Sequence, residues 1–336
     1  MTSRPMTLQL AVRAWPLKMP FRITGHVFDS LDLLVCTLAR DGLQGQGEAT
    51  GVYYHGETGE SLRDQIEAVR PAIEAGIDRQ GLQDLLPPGG ARNALDCALW
   101  ALESQRSGRP VWQLAGLAAP KPLLTTFTLS AERPEVMATR AEKLSDARAL
   151  KLKLIGDGQD ADRVVAVRQA SPDVWLGVDA NQAFDRAAVE ALLPALVKAR
   201  VSLLEQPCRV GDEQSLRSLN SPIPLAADES VQTRRELAAM VGIFDAINIK
   251  LDKCGGLTEG LAMARQAREL GLQVMVGNMI GTSLSCAPAF VVGQLCDIVD
   301  LDGPWHLAGD VTPAVDYRDG RLHCPPGLWD HPGDGA

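Results

Sequence analysis

VWLGVDA, residues 174–180, is an apolar run that ends on a carboxylate, Asp179. A segment apolar on successive positions reads as a strand buried on both faces, the kind found in parallel sheets. The same design recurs on either side of it. ALKLKLI (149–155) precedes it, and SLLEQP (202–207), PLAADES (224–230) and AINIKLDK (246–253) follow. From Lys153 to Asp179 is 26 residues, from Asp179 to Glu205 26, from Glu205 to Asp228 23 and from Asp228 to Lys253 25. Such an interval holds one strand, one helix and two short loops, which is the crossover that parallel strands need. Each polar residue is therefore expected at the C-terminal end of its own strand. In a closed barrel those ends converge on one face, where barrel enzymes keep their chemistry.

TTFTLS (125–130), QVMVGN (273–278) and IVDLDG (298–303) complete eight strand candidates, so an α/β fold of the (β/α)₈ type is expected. The first hundred residues differ. Leu8–Leu17 and Leu31–Arg40 read as strands separated by a polar, glycine-containing stretch, Phe21–Ser30. DGLQGQGEATG (41–51) is turn and strand chemistry, and SLRDQIEAVRPAIEAG (61–76) and ARNALDCALWALESQRSG (91–108) are helical, the latter stopped by Gly108 and Pro110. The expected division is an α+β capping module over residues 1–120 and a barrel over 121–310. Residues 311–336 form a turn-rich tail that folds back on the cap, its last residues disordered.

With 336 residues, 46% hydrophobic and 22% charged, the chain has an ordinary globular balance. A net charge of -9 argues against nucleic acid or an anionic membrane as partner, but leaves room for a small anionic substrate at a local cluster of cations. Seven cysteines without a C-x-x-C pair fit a reducing cytosol. MTSRPMTLQL lacks the apolar stretch of a signal peptide and no run reaches membrane-spanning length, so a soluble, cytoplasmic protein is expected.

Asp179, Glu205 and Asp228, from three consecutive strands, offer hard oxygen ligands that suit Mg²⁺. Without a cation three clustered carboxylates would repel one another. Any one of them alone could equally be a helix N-cap, and the even spacing favours the metal. Asn181 and Glu229 sit just beyond two of these residues, as supports for the ligands or as caps. Lys151 and Lys153 share one strand face, expected to be the barrel interior, where a lysine is costly unless used. Nearly across the barrel lie Lys250, which reads as a surface strand-end lysine, and Lys253, which pairs with Lys153 as acid and base on opposite faces of a carbon atom. That role needs lysine pKa values lowered towards the working pH. Asp300 and Asp302 in DLDGP alternate towards the barrel mouth, as a paired site for an ammonium group or as loop caps. Thr126 and Thr128 either touch substrate or pack.

These residues resemble the enolase superfamily, and within it the muconate-lactonizing subgroup. The match rests on Lys151-Leu-Lys153, on VDAN, LEQP and ADES, and on KLDKCGG, with YYHGET (53–58) and RNALDCALWALE (92–103) like segments of that family's cap. The resemblance implies Mg²⁺ that holds the substrate carboxylate and stabilises an enediolate, with Lys153 and Lys253 as acid and base and Lys151 assisting. DLDGP is most like the dipeptide epimerases typified by L-Ala-D/L-Glu epimerase, which implies that Asp300 and Asp302 bind a free α-ammonium group. In the capping loop some such epimerases place an arginine for an acidic side chain; here His26 occupies that place. The resemblance thus implies an isomerase that inverts the C-terminal α-carbon of a dipeptide, as a homo-oligomer. Rival readings are a muconate cycloisomerase, an N-acylamino acid racemase or an o-succinylbenzoate synthase, and, in another class, a non-catalytic binding protein on an enzyme fold.

Overall fold

The computed structural model describes residues 5–333. The chain opens with a long antiparallel hairpin, β1 (Thr7–Ile23) and β2 (His26–Arg40), continued by β3 (Leu43–Ala49) in the order β1-β2-β3. The segment Phe21–Ser30, expected as a break between strands, is instead the hairpin's tip: Phe21 pairs with Phe28 and Ile23 with His26 around a turn at Gly25, φ 73°. Its polarity reflects a ribbon standing clear of the sheet, where outward side chains meet water, rather than a loop.

After a 3₁₀ turn at Tyr53–His55 come α1 (Gly59–Ala68), α2 (Arg70–Glu74), α3 (Arg79–Leu85), α4 (Gly90–Ser107) and α5 (Val111–Leu114). Thr58 and Ser61 cap α1 reciprocally. The helix expected to run unbroken through residues 61–76 divides at Val69, ahead of Pro71, which lacks an N–H to donate. α4 ends where expected, at Gly108 with φ 65°. It lies so close on β3 that a Cβ at Gly47 would stand 2.1 Å from the Ala94 carbonyl oxygen. Leu34, Leu38, Leu62, Ile66 and Leu95 form a core of their own between this sheet and its helices.

β4 (Leu123–Leu124) leads into the barrel. Its strands and crossovers are β5 (Phe127–Leu129), α6 (Pro134–Lys143), β6 (Ala149–Lys153), α7 (Asp160–Ala170), β7 (Trp175–Asp179), α8 (Arg186–Lys198), β8 (Leu203–Glu205) and β9 (Leu225–Ala227). Then follow α9 (Leu237–Met240), β10 (Ala246–Lys250), α10 (Leu251–Cys254), α11 (Leu257–Glu269), β11 (Gln273–Gly277), α12 (Ser283–Gly293), β12 (Ile298–Asp300) and α13 (Gly303–His306). β5 to β12 form one parallel sheet of eight strands in sequence order. Its first and last strands meet through the Thr126 N–H, which donates to Val299 O at 3.0 Å. Two crossovers are slighter than expected: residues 213–220 hold only a 3₁₀ turn, and α9 is four residues long.

Strand alternation sorts the side chains. Leu150, Leu152, Leu204, Ile247 and Ile249 face out beneath the helices. Leu203, Ala226, Ala246 and Met275 face in and plug one end of the barrel. The opposite, C-terminal end carries the charged residues.

β13 (Asp316–Arg318) and β14 (Arg321–His323) form a small sheet with β4. Beyond it the tail reaches the N-terminal elements. The Trp329 Nε1–H donates to Gln46 O at 2.8 Å, and Asp330 Oδ2 accepts from the Val111 N–H at 2.5 Å. The disorder expected at the last residues, 334–336, lies outside the described residues. No helix among the described residues is long and apolar enough to cross a membrane.

Candidate active site

β6, β7 and β8 align Lys153 with Asp179 and Asp179 with Glu205, so consecutive strands deliver consecutive polar residues to one level of the barrel. Asp228 follows β9 directly. Asp179, Glu205 and Asp228 are buried, and one oxygen from each lies within 4.8 Å of the others. This is a hard, all-oxygen donor set.

Basic and amide groups hold it. Lys153 Nζ donates to Asp179 Oδ2 at 2.5 Å and to Asn181 Oδ1 at 3.0 Å. Lys151 Nζ reaches Glu205 at 3.3 Å and pairs more closely with Asp300. Lys250 Nζ lies 2.7 Å from Asp228 Oδ2, and Asn248 Nδ2 donates to Glu205 Oε1 at 2.6 Å. Asn181, in the left-handed region at φ 41°, also donates from Nδ2 to Glu229 Oε1 at 3.1 Å. Glu229 Oε2 is buried with no hydrogen-bond partner among the described residues.

Burial works against every one of these charges, and the neighbours decide the outcome. For Asp179, burial is outweighed by Lys153 and Lys151, which hold its carboxyl below the usual range. For Asp228, Lys250 and Lys253 overcome burial in the same way. Glu205 is pushed up to about 7 by burial and by Asp179, and Glu229 to about 8 by burial and by Asp228. Lys250 resists its own burial because Asp228, Glu205 and Asp179 raise it. The lowering expected of a lysine on this wall is therefore reversed at Lys250, because four carboxylates surround it.

A cavity of about 220 Å³ opens over these groups. Lys151, Lys153, Asp228, Lys250, Asp300 and Asp302 are on its floor. Lys253 is not among its lining residues. It sits on α10, and its Nζ is consumed by Asp228 Oδ1 at 2.6 Å and by the carbonyl oxygens of Asp228 (2.5 Å) and Asn248 (3.0 Å). Equal spacing had singled out Lys253 and left Lys250 as a surface residue; the structure buries Lys250 and turns it to the cavity. Alternation along β10 carries the missed signal, since Asn248 and Lys250 share a face. Gly277, paired with Lys250 on β11, leaves the space: a Cβ there would lie 3.2 Å from Lys250 Cε.

Asp300 accepts from Thr126 Oγ1 and pairs with Lys151. Asp302 Oδ2 accepts from the Thr128 N–H at 2.5 Å and faces His306 Nε2 at 3.1 Å. Burial would raise Asp302, but His306 and the Thr128 amide hold it down to about 2. Thr128 lines the cavity, whereas Thr126 orients Asp300 from behind. His26 is exposed at the hairpin tip, its ring against Tyr53 (4.7 Å between centroids) and Phe28 (6.0 Å) rather than in the cavity lining.

Residues 6–116 match the family described as mandelate racemase / muconate lactonizing enzyme, N-terminal domain, and residues 136–335 match the enolase C-terminal domain-like family. The chain belongs to the enolase superfamily. It is 40% identical over 318 residues to the L-Ala-D/L-Glu epimerase of Escherichia coli (strain K12), covering 94% of this chain and 99% of that one. Among solved structures, an enolase family member from Agrobacterium tumefaciens with homology to dipeptide epimerases, holding sodium and L-Ala-L-Glu, superposes with a TM-score of 0.94. It is 37% identical and covers 97% of this chain and 100% of its own. The dipeptide epimerase from Methylococcus capsulatus, complexed with Mg and L-Arg-D-Lys, superposes with a TM-score of 0.88 at 30% identity, over 96% and 97% of the two chains. Its relatives within the superfamily are named epimerases and racemases, and this chain is an isomerase. The acidic cluster of this superfamily member has the donor set and spacing that could hold a metal ion.

Proposed function

We propose that the protein is a Mg²⁺-dependent dipeptide epimerase that inverts the α-carbon of the C-terminal residue, with Lys153 and Lys250 as the two acid–base groups. The observation that carries this reading is the placement of those lysines. β6 and β10 are four strands apart in a ring of eight, so the two amines stand on opposite walls of one cavity, with the carboxylate cluster on the wall between. A group that removes a proton from one face of a carbon and a group that returns one to the other need that opposition. The similarity to dipeptide epimerases supports the substrate class.

Asp179, Glu205 and Asp228 would hold the metal; their buried oxygen set fits a hard divalent cation. Bound there, the cation would take the substrate carboxylate, offset the charge that builds on it as the α-proton leaves, and cancel the carboxylates that keep Lys250 protonated. Lys151 adds a positive charge beside Glu205 and Asp300. Asn181 fixes Lys153 and Asp179 together. Asp302, held ionised, receives the substrate's free ammonium group together with Asp300. The described cap residues 5–120, with tail residues 311–333 packed on them, close the cavity over a barrel of residues 121–310.

The test is α-proton exchange. Purified protein with Mg²⁺ and a panel of dipeptides in D₂O is expected to place deuterium at the C-terminal α-carbon with inversion, and chelation of the metal is expected to stop it. Incorporation into none of the panel would sink the reading. Asp302→Asn separates the rival racemases, whose substrates lack a free ammonium. Dipeptide exchange is expected to fall by about 10²-fold or more, the scale of a lost buried charge pair, while N-acyl substrates would be spared.

A further inference from the structure

The floor of the cavity fixes where a substrate's α-carbon lies, between Lys153 and Lys250. Its side chain must then rise into the roof, where the β1–β2 hairpin, the Tyr53–His55 turn and the loop after β11 meet. The roof is lined by Ile23, Phe28, Leu31, Tyr53, Met279 and Ile280. Tyr53 is braced edge-on by Phe28 at 5.6 Å and by Tyr54 at 5.1 Å, so an aromatic wall stands ready before anything binds.

Among the described residues no lysine or arginine serves this wall, and the His26 ring packs against Tyr53 and Phe28 from outside the cavity lining. Lys151, Lys153 and Lys250 are each engaged by carboxylates on the floor, and His306 faces Asp302. The hairpin's own arginine, Arg22, pairs with Val27, one residue out of phase with the cavity-lining Phe21 and Phe28, and is exposed on the other face. The ionisable roof groups are acidic, Asp32 and Glu57, and Glu57 already accepts from the N–H groups of Val52 and Gly90. A carboxylate placed within this lining would be desolvated with no lysine or arginine to pair with. A basic side chain would find Asp32 only at the exposed rim, where water weakens the attraction, so apolar contact dominates.

We propose that the C-terminal residue of the substrate carries an apolar or aromatic side chain, selected by the Phe28–Tyr53 wall, and not an acidic one. This deepens the epimerase reading above and rests on it. The full chain with Mg²⁺ in D₂O is given L-Ala-L-Phe, L-Ala-L-Leu, L-Ala-L-Glu and L-Ala-L-Lys, and kcat/KM for α-deuterium uptake is measured for each. The phenylalanine and leucine dipeptides are expected to exceed the glutamate dipeptide by about 100-fold, the scale of burying an unpaired charged group. Phe28→Arg is expected to raise the glutamate rate and lower the phenylalanine rate. A native preference for glutamate or for lysine overturns the inference while leaving the epimerase reading standing. Exchange with none of the four overturns both.

Discussion

Glu48 ties the capping sheet to the barrel: its two carboxyl oxygens accept from the Thr282 N–H at 2.7 Å and the Thr282 hydroxyl at 2.8 Å, at the start of α12. Burial pushes its pKa from 4.5 up to about 7. The folded protein therefore holds a proton that the unfolded chain has released between about pH 4.5 and 7. Stability falls as pH rises through that window and is level above it. Glu48→Gln is expected to remove this part of the pH dependence, up to about 3 kcal/mol, in urea titrations at pH 5 and pH 8. An unchanged difference between the two pH values would contradict the assignment. At this same scale the sequence was informative about Asp179, Glu205 and Asp228, because each ends an apolar strand and those ends share one level. It misread Lys250 as a surface residue, because equal intervals count residues along the chain whereas a strand presents alternate ones. Asn248, which holds Glu205, left no such trace, since an amide in an apolar run looks like any other polar interruption.

Among the elements, β3 and α4 are the tightest junction. Gly47→Ala would drive a methyl into the Ala94 carbonyl, and overpacking of this kind is expected to cost about 1–3 kcal/mol in chemical denaturation, with little direct effect on the cavity. A neutral result would mean that α4 moves aside freely. Gly277→Ala makes the opposite prediction. Its Cβ would crowd Lys250 Cε and Asn248 Oδ1, so kcat is expected to fall about tenfold or more while the melting temperature shifts by a few degrees. The barrel strands were legible because buried parallel strands are apolar on both faces. The hairpin tip was not, since a ribbon lifted from its sheet has polar side chains like a loop, and only pairing with a distant strand distinguishes the two. The division of the helix at Pro71 was visible in principle in the missing N–H.

For the whole molecule, the tail acts as a strap. Trp329 is buried against β3 and hydrogen-bonded to Gln46, while the His331 N–H donates to Ser104 on α4. Trp329→Ala is expected to cost about 3 kcal/mol by loss of a large buried ring, read as a lower urea midpoint; no change would show the strap to be idle. The sequence placed this tail on the cap from the loss of periodicity alone, but its strands β13 and β14, which pair with β4, were too short to show a pattern. In the proposed mechanism the cap, barrel and strap serve one arrangement, two amines facing each other across a single carbon. The direct test is stereospecific exchange by single-lysine variants in D₂O, using both epimers of a dipeptide that the native protein turns over. Lys153→Ala and Lys250→Ala are each expected to abolish epimerisation while still exchanging the α-proton of one epimer, and of opposite epimers in the two variants. Exchange of both epimers by either variant, or of the same epimer by both, would contradict the account.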